Sequence, residues 1–335
     1  MPPITRALPA PARPPRSALW GVLLGLGVLA AANHAAARLA ERRHPPRGRF
    51  LDIAGTRLHV LDEGKGPPVL LLHGNGAMAE DFVASGLVAR LVAAGHRVIV
   101  PDRPGFGHSP RPRGRLWTAH AQAELMAAML GRLEVRFPVV LGHSWGVMVA
   151  LDLARRHADK VGALVLVGGY YHPTLRLDVP LVSLSALPVL GDVLRHTVLP
   201  PLLWLMRGGM FRMLFAPAPV TEGFRAGFPT GLALRPSQLR AVAQDTAMMI
   251  PGTALLARHY GELTLPVAIV GGVGDGIVDF DSQSRRLHAE IPHSRLHPIE
   301  ADGHMVHHTE PALLADIVGQ LSRREAVSAR SDGPG

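Results

Sequence analysis

The chain has 335 residues, 47% of them apolar and none of them cysteine, which excludes wholesale disorder, disulfides, thiolate metal sites and a cysteine nucleophile. The formal charge is +9, but residues 1–49 hold eight arginines against Glu41, a net +7 that leaves +2 for residues 50–335. A nucleic-acid footprint would put the excess on the folded body, so nucleic acid is not an expected partner; a basic head on a nearly neutral body is the pattern of a membrane-targeting segment.

In chain order, residues 1–16 are rich in Pro and Arg and are expected to be disordered. Residues 17–38 form an apolar helical segment. Its strict run from Ala18 to Ala32 is too short to cross a bilayer at 1.5 Å per residue, but Ser17 through Ala37 gives about 31 Å, enough if Asn33 and His34 sit near an interface. Arg38, Arg42 and Arg43 close the segment and Pro45-Pro46 ends the helix. The expectation is an uncleaved anchor in a bacterial inner membrane; export after signal-peptide cleavage near Ala35–Ala37, or an interfacial helix, are the alternatives. Arginines on both sides leave the orientation open. The Arg-over-Lys bias, with lysine only at 65 and 160, is an association with high-GC bacteria.

From Phe50 onward, short apolar runs alternate with helical patterns. Strands are expected at Arg57–Leu61, Val69–Leu72, Arg97–Val100, Val139–Leu141, Ala163–Val167, Val267–Val270 and Arg295–Ile299. Helices are expected at Ala79–Ala94, Thr118–Leu133, Trp145–His157, Asp281–Glu290 and Glu310–Arg323. This alternation builds a mostly parallel, doubly wound α/β sheet over residues 50–323. It breaks at about residues 171–265, a proline-rich apolar stretch expected to be a helical cap insertion. The tail, 324–335, is small and polar and is expected to be disordered.

The chemistry centres on Gly142-His143-Ser144-Trp145-Gly146, a G-x-S-x-G between an apolar strand and a helix. A serine at such a turn has a strained backbone and a projecting Oγ, its flanking residues must be tiny, and the helix N-terminus aims N–H groups at a developing oxyanion. A hydroxyl is a poor nucleophile without a base, and the base needs an orienting acid. Asp275 and His304 each follow an expected parallel strand at its C-terminal end, where open α/β sheets place their sites.

Five segments in order resemble the α/β-hydrolase fold superfamily: Leu72-His73-Gly74-Asn75-Gly76, the Asp102–Ser109 turn (D-x-x-G-x-G-x-S), the serine elbow, Gly272-Val273-Gly274-Asp275, and Gly303-His304. The resemblance implies Ser144 as nucleophile, His304 as general base then acid, Asp275 as orienting acid, and the main-chain N–H groups of Asn75 and Trp145 as the oxyanion hole. Asp279, Asp281 and Asp302 are the other acids nearby; the alternative family position, after the strand ending near Gly168, offers no carboxylate before Asp178. Dehalogenases and epoxide hydrolases of this fold use an aspartate where Ser144 stands, so the serine points to acyl-enzyme chemistry, although Asn75 also occurs among dehalogenase relatives.

The expected function is therefore a membrane-anchored serine hydrolase cleaving a carboxylic ester or related acyl bond of an apolar small molecule. A carbon–carbon bond hydrolase or cofactor-free haloperoxidase or perhydrolase on the same triad is one alternative; an inert binding protein of this fold is another. No cofactor is expected: Gly272-Val273-Gly274 lacks the third glycine of a dinucleotide loop, having Ile277, and no phosphate-cradling loop is present. No metal is expected either, because His304, His307 and His308 lack an accompanying carboxylate pattern. The apolar stretch Val182–Phe215, with Met206, Met210 and Met213, is read either as packing against the sheet or as an acyl pocket admitting substrate from the bilayer. Oligomeric state is left open.

Overall fold

A computed structural model describes residues 16–331. The expectations for residues 1–15 and 332–335 lie outside the described residues. Helix α1 (Arg16–Arg43) leads by an extended linker into β1 (Arg49–Ile53), β2 (Thr56–Glu63) and β3 (Pro68–Leu72). Then come α2 (Ala79–Ala84), α3 (Leu87–Ala93), β4 (Arg97–Pro101), α4 (Ala119–Arg132), β5 (Val139–His143), α5 (Gly146–Arg156) and β6 (Ala163–Val167). The insertion holds α6 (Asp178–Ser183), α7 (Leu190–His196), α8 (Leu199–Phe215), α9 (Glu222–Gly227), α10 (Thr230–Ala233) and α11 (Pro236–Leu256). The chain then returns through β7 (Val267–Gly272), α12 (Arg286–Glu290), β8 (Arg295–Ile299), α13 (Val306–Thr309) and α14 (Pro311–Ser331).

The eight strands form one sheet in the order β1-β2-β4-β3-β5-β6-β7-β8. The β1–β2 and β2–β4 pairs are antiparallel and all others parallel. The central strands are buried on both faces because a period of two sends alternate side chains into opposite layers. Leu70, Leu72, Val140, Leu164, Leu166 and Ile269 pack with α4 and α5 residues such as Met126 and Val147. Val69, Leu71, Val139, Leu141, Val165 and Val167 pack with Phe82, Leu87, Leu91, Leu314 and Val318 on the other side.

Several elements differ from the sequence expectation. Strand β1 was not anticipated; it pairs with β2 across Ala54 and Gly55, whose φ values of +48° and +75° make the tight left-handed turn that an antiparallel pair requires. The expected helix Ala79–Ala94 is two helices, broken at Gly86 with φ +77°. The apolar helix does not stop at residue 38 but continues to Arg43, before Pro45 and Pro46. At the other end α14 continues to Ser331, so residues 324–331 are helical and not the irregular tail expected. Asp281–Glu290 begins as a wide turn over Asp281–Arg285 and becomes α-helical only at Arg286.

The cap spans the C-terminal ends of β3 and β5, where Asn75 and Trp145 both bond to α11. Its apolar residues largely face outward. In α8 only Pro200 and Phe215 are buried, while Trp204, Leu205, Met206 and Met213 are exposed, so this stretch does not serve chiefly as packing against the sheet.

Helix α1 is long and apolar enough to cross a membrane from Trp20 to Arg43. Its last turns rest on the cap: Asn33 Nδ2 donates to the carbonyls of His196 (2.9 Å) and Thr197 (2.5 Å), Ala40 packs with Met78 and Leu232, and Glu41 pairs with Arg235 at 2.9 Å.

Candidate active site

Ser144 sits on the turn between β5 and α5 with φ +52°, a left-handed conformation that an L-residue holds only under constraint from its surroundings. The glycines around it are needed for space. A Cβ on Gly142 would stand 2.8 Å from Val147 Cα, and one on Gly146 would collide with the Leu72 carbonyl. Ser144 N–H donates to Val167 O (2.9 Å), pinning the turn to β6, and its side chain is only part-buried.

Two further loops bring a histidine and an acid to it. His304 Nε2 lies 2.9 Å from Ser144 Oγ, and His304 Nδ1 lies 2.7 Å from Asp275 Oδ2. The other Asp275 oxygen accepts from the main-chain N–H groups of Ile277 (2.8 Å) and Val278 (3.0 Å), which fixes the carboxylate in its turn. Of the other acids weighed, Asp302 accepts from its neighbour's N–H (Gly303) and from the Thr309 hydroxyl, and Asp279 caps Ser282 N–H; neither contacts His304. Asp281 pairs with Arg285 on the surface. The main-chain N–H groups of Asn75 and Trp145 are not taken up in hydrogen bonds with other described residues. Ser144, His304 and Asp275 therefore form one continuous hydrogen-bonded chain, with two free N–H groups on the loops beside it.

Residues far apart in sequence hold these loops. Arg103 is fully buried behind the turn: Nε donates to His73 O (2.9 Å), Nη2 to Gly74 O (2.9 Å), and Nη1 to Gln122 Oε1 (3.0 Å) and Asp245 Oδ2 (2.6 Å). Its guanidinium also lies 4.6 Å from the Trp145 ring centre, and Trp145 Nε1 donates to Asp245 O at 3.0 Å. Burial outweighs the attraction of Asp245 and pushes the Arg103 guanidinium below its ordinary range. His73 donates from Nδ1 to Gly74 O and accepts at Nε2 from Arg103 N–H; burial, then the Arg103 charge, pushes it down to about 3, so it remains a neutral pin.

Asp102 anchors the turn after β4. It accepts from His59 Nδ1 (2.7 Å), Ala79 N–H (2.8 Å) and His108 N–H (2.8 Å), and a Cβ on Gly107 would collide with its carboxylate. Burial works against its charge, but His59 and the Ala79 N–H hold its carboxyl below the usual range.

The sequence grouped His304 with His307 and His308, and the structure separates them. His307 Nε2 and His308 Nε2 both donate to Asp81, at 2.8 Å each. Asp81 supplies the carboxylate that local spacing did not reveal, because it comes from α2, more than two hundred residues away. Asp81, His307 and His308 are the type of donor set that ligates metal ions, but both carboxylate oxygens are already engaged by the histidines. The arrangement is a buried clamp between α2 and α13. Burial opposes ionisation of Asp81, yet the two histidines hold it well below the usual carboxylate range. His143 donates from Nε2 to His304 O (3.0 Å), and burial followed by the charges of His307 and His304 keeps it neutral.

Residues 67–189 match the family described as alpha/beta hydrolase fold. The chain is 35% identical over 129 residues to 2-hydroxymuconate semialdehyde hydrolase from a Pseudomonas species, covering 38% of this chain and 46% of that protein. It is 27% identical over 282 residues to haloalkane dehalogenase 2 from Mycobacterium bovis, covering 82% of this chain and 94% of that protein. Among solved structures, a thermophilic esterase from Thermogutta terrifontis superposes with a TM-score of 0.67 at 24% identity, over 83% of this chain and 99% of that one. All three relatives are enzymes. Sheet order, the strand–turn–helix at Ser144 and the match over residues 67–189 agree on an α/β-hydrolase fold.

Proposed function

We propose that this is a membrane-attached serine hydrolase that cleaves a carboxylic ester or related acyl bond of an apolar small molecule. The observation that carries the reading is the unbroken chain Asp275–His304–Ser144, with both links below 3 Å. In the forward step His304 Nε2 takes the Ser144 Oγ proton as the oxygen adds to the acyl carbon. Asp275 holds His304 Nδ1–H and stabilises the imidazolium that forms. The carbonyl oxygen becomes an oxyanion and accepts from Asn75 and Trp145 N–H. Collapse breaks the bond to the leaving alcohol, which takes the proton from His304, and leaves Ser144 acylated. Water then repeats the sequence: it gives a proton to His304, adds to the acyl carbon, and releases the carboxylic acid as the proton returns to Ser144.

Three features support membrane attachment and an apolar substrate. Helix α1 is apolar over a membrane-crossing length. The cap beside it exposes Trp204, Leu205, Met206 and Met213. Asn33 holds α1 against the cap at α7. A carbon–carbon bond hydrolase on the same residues is the second reading, favoured by the 35% identity to 2-hydroxymuconate semialdehyde hydrolase.

Fluorophosphonate labelling of washed membranes is the test. Wild type is expected to label in the membrane fraction, Ser144→Ala is expected not to label, and its ester hydrolysis is expected to fall about 10⁵-fold. Failure of folded wild type to label overturns the serine-hydrolase reading. Faster turnover of vinylogous diketones than of esters moves the second reading ahead of the first.

A further inference from the structure

A cavity of about 690 Å³ lies where α1, the β1–β2 edge, the turn after β4 and the cap meet, and none of Ser144, His304, Asp275 or Asn75 lines it. Its lining carries six arginines: Arg57, Arg111, Arg113, Arg195, Arg235 and Arg240. The two carboxylates in the lining are already engaged, Glu41 with Arg235 at 2.9 Å and Asp192 with Arg195 at 2.5 Å. Arg111 reaches Asp245 at 2.8 Å, but that single carboxylate is shared with Arg103. Arg57 stacks on the Phe50 ring, 4.0 Å from its centre, and neither it nor Arg113 nor Arg240 pairs with a carboxylate among the described residues.

Three of these arginines, Arg111, Arg195 and Arg235, are more than nine-tenths buried. The Nε groups of Arg111, Arg195 and Arg240 find no hydrogen-bond partner among the described residues. Gathering like charges around one half-open cavity carries a repulsion that a bound anion would offset. Burial, and then the charges of Arg113, Arg111 and Arg195, push the Arg240 guanidinium below its ordinary range. A planar fork of N–H donors matches the oxygens of a phosphate, and several forks around one cavity make a polydentate site.

The position indicates where that phosphate comes from. His196, whose carbonyl receives Asn33 of α1, lines the cavity, and so does Glu41, eight residues and about 12 Å further along the same helix. The cavity thus opens beside the end of the apolar helix, at the level a lipid headgroup occupies when α1 is in a bilayer. We propose that this arginine cavity binds a phosphate group, supplied by the headgroup of an anionic phospholipid. It is separate from the Ser144 site, and only the lipid origin rests on the membrane-attached reading.

The full chain is tested in two arms, by thermal unfolding and by titration. One arm adds inorganic phosphate to detergent-solubilised protein, with sodium chloride holding ionic strength constant. The other compares phosphatidylcholine nanodiscs with and without phosphatidic acid. The variants are Arg113→Gln, an exposed loop side chain whose loss does not threaten folding; the double variant Arg113→Gln/Arg240→Gln; and Arg90→Gln on the surface of α3, outside the cavity, as the charge control. Phosphatidic acid is expected to stabilise wild type and Arg90→Gln, with affinity falling about tenfold for each cavity arginine removed. The same pattern with inorganic phosphate alone keeps the phosphate site and assigns it a soluble occupant. No stabilisation in either arm, or equal responses in wild type and Arg113→Gln, overturns the proposal.

Discussion

Glu80 sits in an environment that opposes its charge. It is buried in the first turn of α2, and burial, then the charge of Asp102, pushes its carboxyl up to about 7 from an ordinary 4.5. The folded chain therefore keeps a proton that the unfolded chain releases above pH 4.5, and stability falls as pH rises from 4.5 through about 7. Glu80→Gln stays neutral throughout, so it is expected to be more stable than wild type by on the order of 2 kcal/mol near pH 8 and to match it near pH 4. Urea unfolding at the two pH values checks this; an equal difference at both would mean that packing, not protonation, governs the site. At this scale the sequence was most legible where chemistry demands a fixed local motif, as around Ser144, with its flanking glycines. It was silent about Asp81, Arg103 and Asp245, because a buried ion pair has no local signature when its partner lies 142 residues away, as for Arg103 and Asp245.

Among the elements, α11 ties the cap to the loops of the active site. Asp245 accepts from Arg103 and Arg111, while Val242 and Thr246 accept from the Asn75 side chain. Asp245→Ala strands two guanidiniums that are almost fully buried, and it is expected to destabilise the fold by about 3–5 kcal/mol. A drop in the urea midpoint with unchanged m-value would register that loss; a drop below 1 kcal/mol would mean that water or a relaxed loop solvates the arginines. The strands with continuous apolar runs, such as Ala163–Val167, were readable because burial on both faces erases any polar alternation. Strand β1, RFLDI, was not readable: it is a short, partly exposed edge whose pairing depends on the Ala54-Gly55 turn. The break inside Ala79–Ala94 was missed for a related reason, since a lone glycine in an apolar pattern does not announce a left-handed residue.

For the whole molecule, the outward-facing cap and α1 present apolar surface together. Trp204 is 49% and Leu205 81% exposed, and Trp20, Leu24 and Val28 of α1 are exposed too, the kind of apolar surface that marks a membrane or partner contact. In a bilayer the Asn33 contact would draw the α7–α8 corner into the near leaflet, about 12 Å below Glu41. Trp204→Glu/Leu205→Glu is therefore expected to leave the chain membrane-bound through α1 while lowering turnover of long-chain esters several-fold relative to acetyl esters. Vesicle flotation combined with chain-length profiling separates the two effects, and unchanged long-chain turnover would remove the cap from substrate delivery. The global topology was the most legible level of all, because alternation of strands and helices leaves few ways to wind a sheet.

The Asp245 knot also constrains how substrate gets in. Both the Ser144 turn and the Asn75 loop are fastened to the same stretch of α11, so the roof cannot swing up from that side without tearing out a buried carboxylate and disturbing the loops it shelters. Such a roof behaves like one bolted along its inner beam, with α8, in which only Pro200 and Phe215 are buried, as its outer slope. Its eaves are the apolar residues exposed beside α1. With α1 in a bilayer, as proposed, a doorway on that slope would face the lipid, and a molecule dissolved in the bilayer would meet it before one dissolved in water.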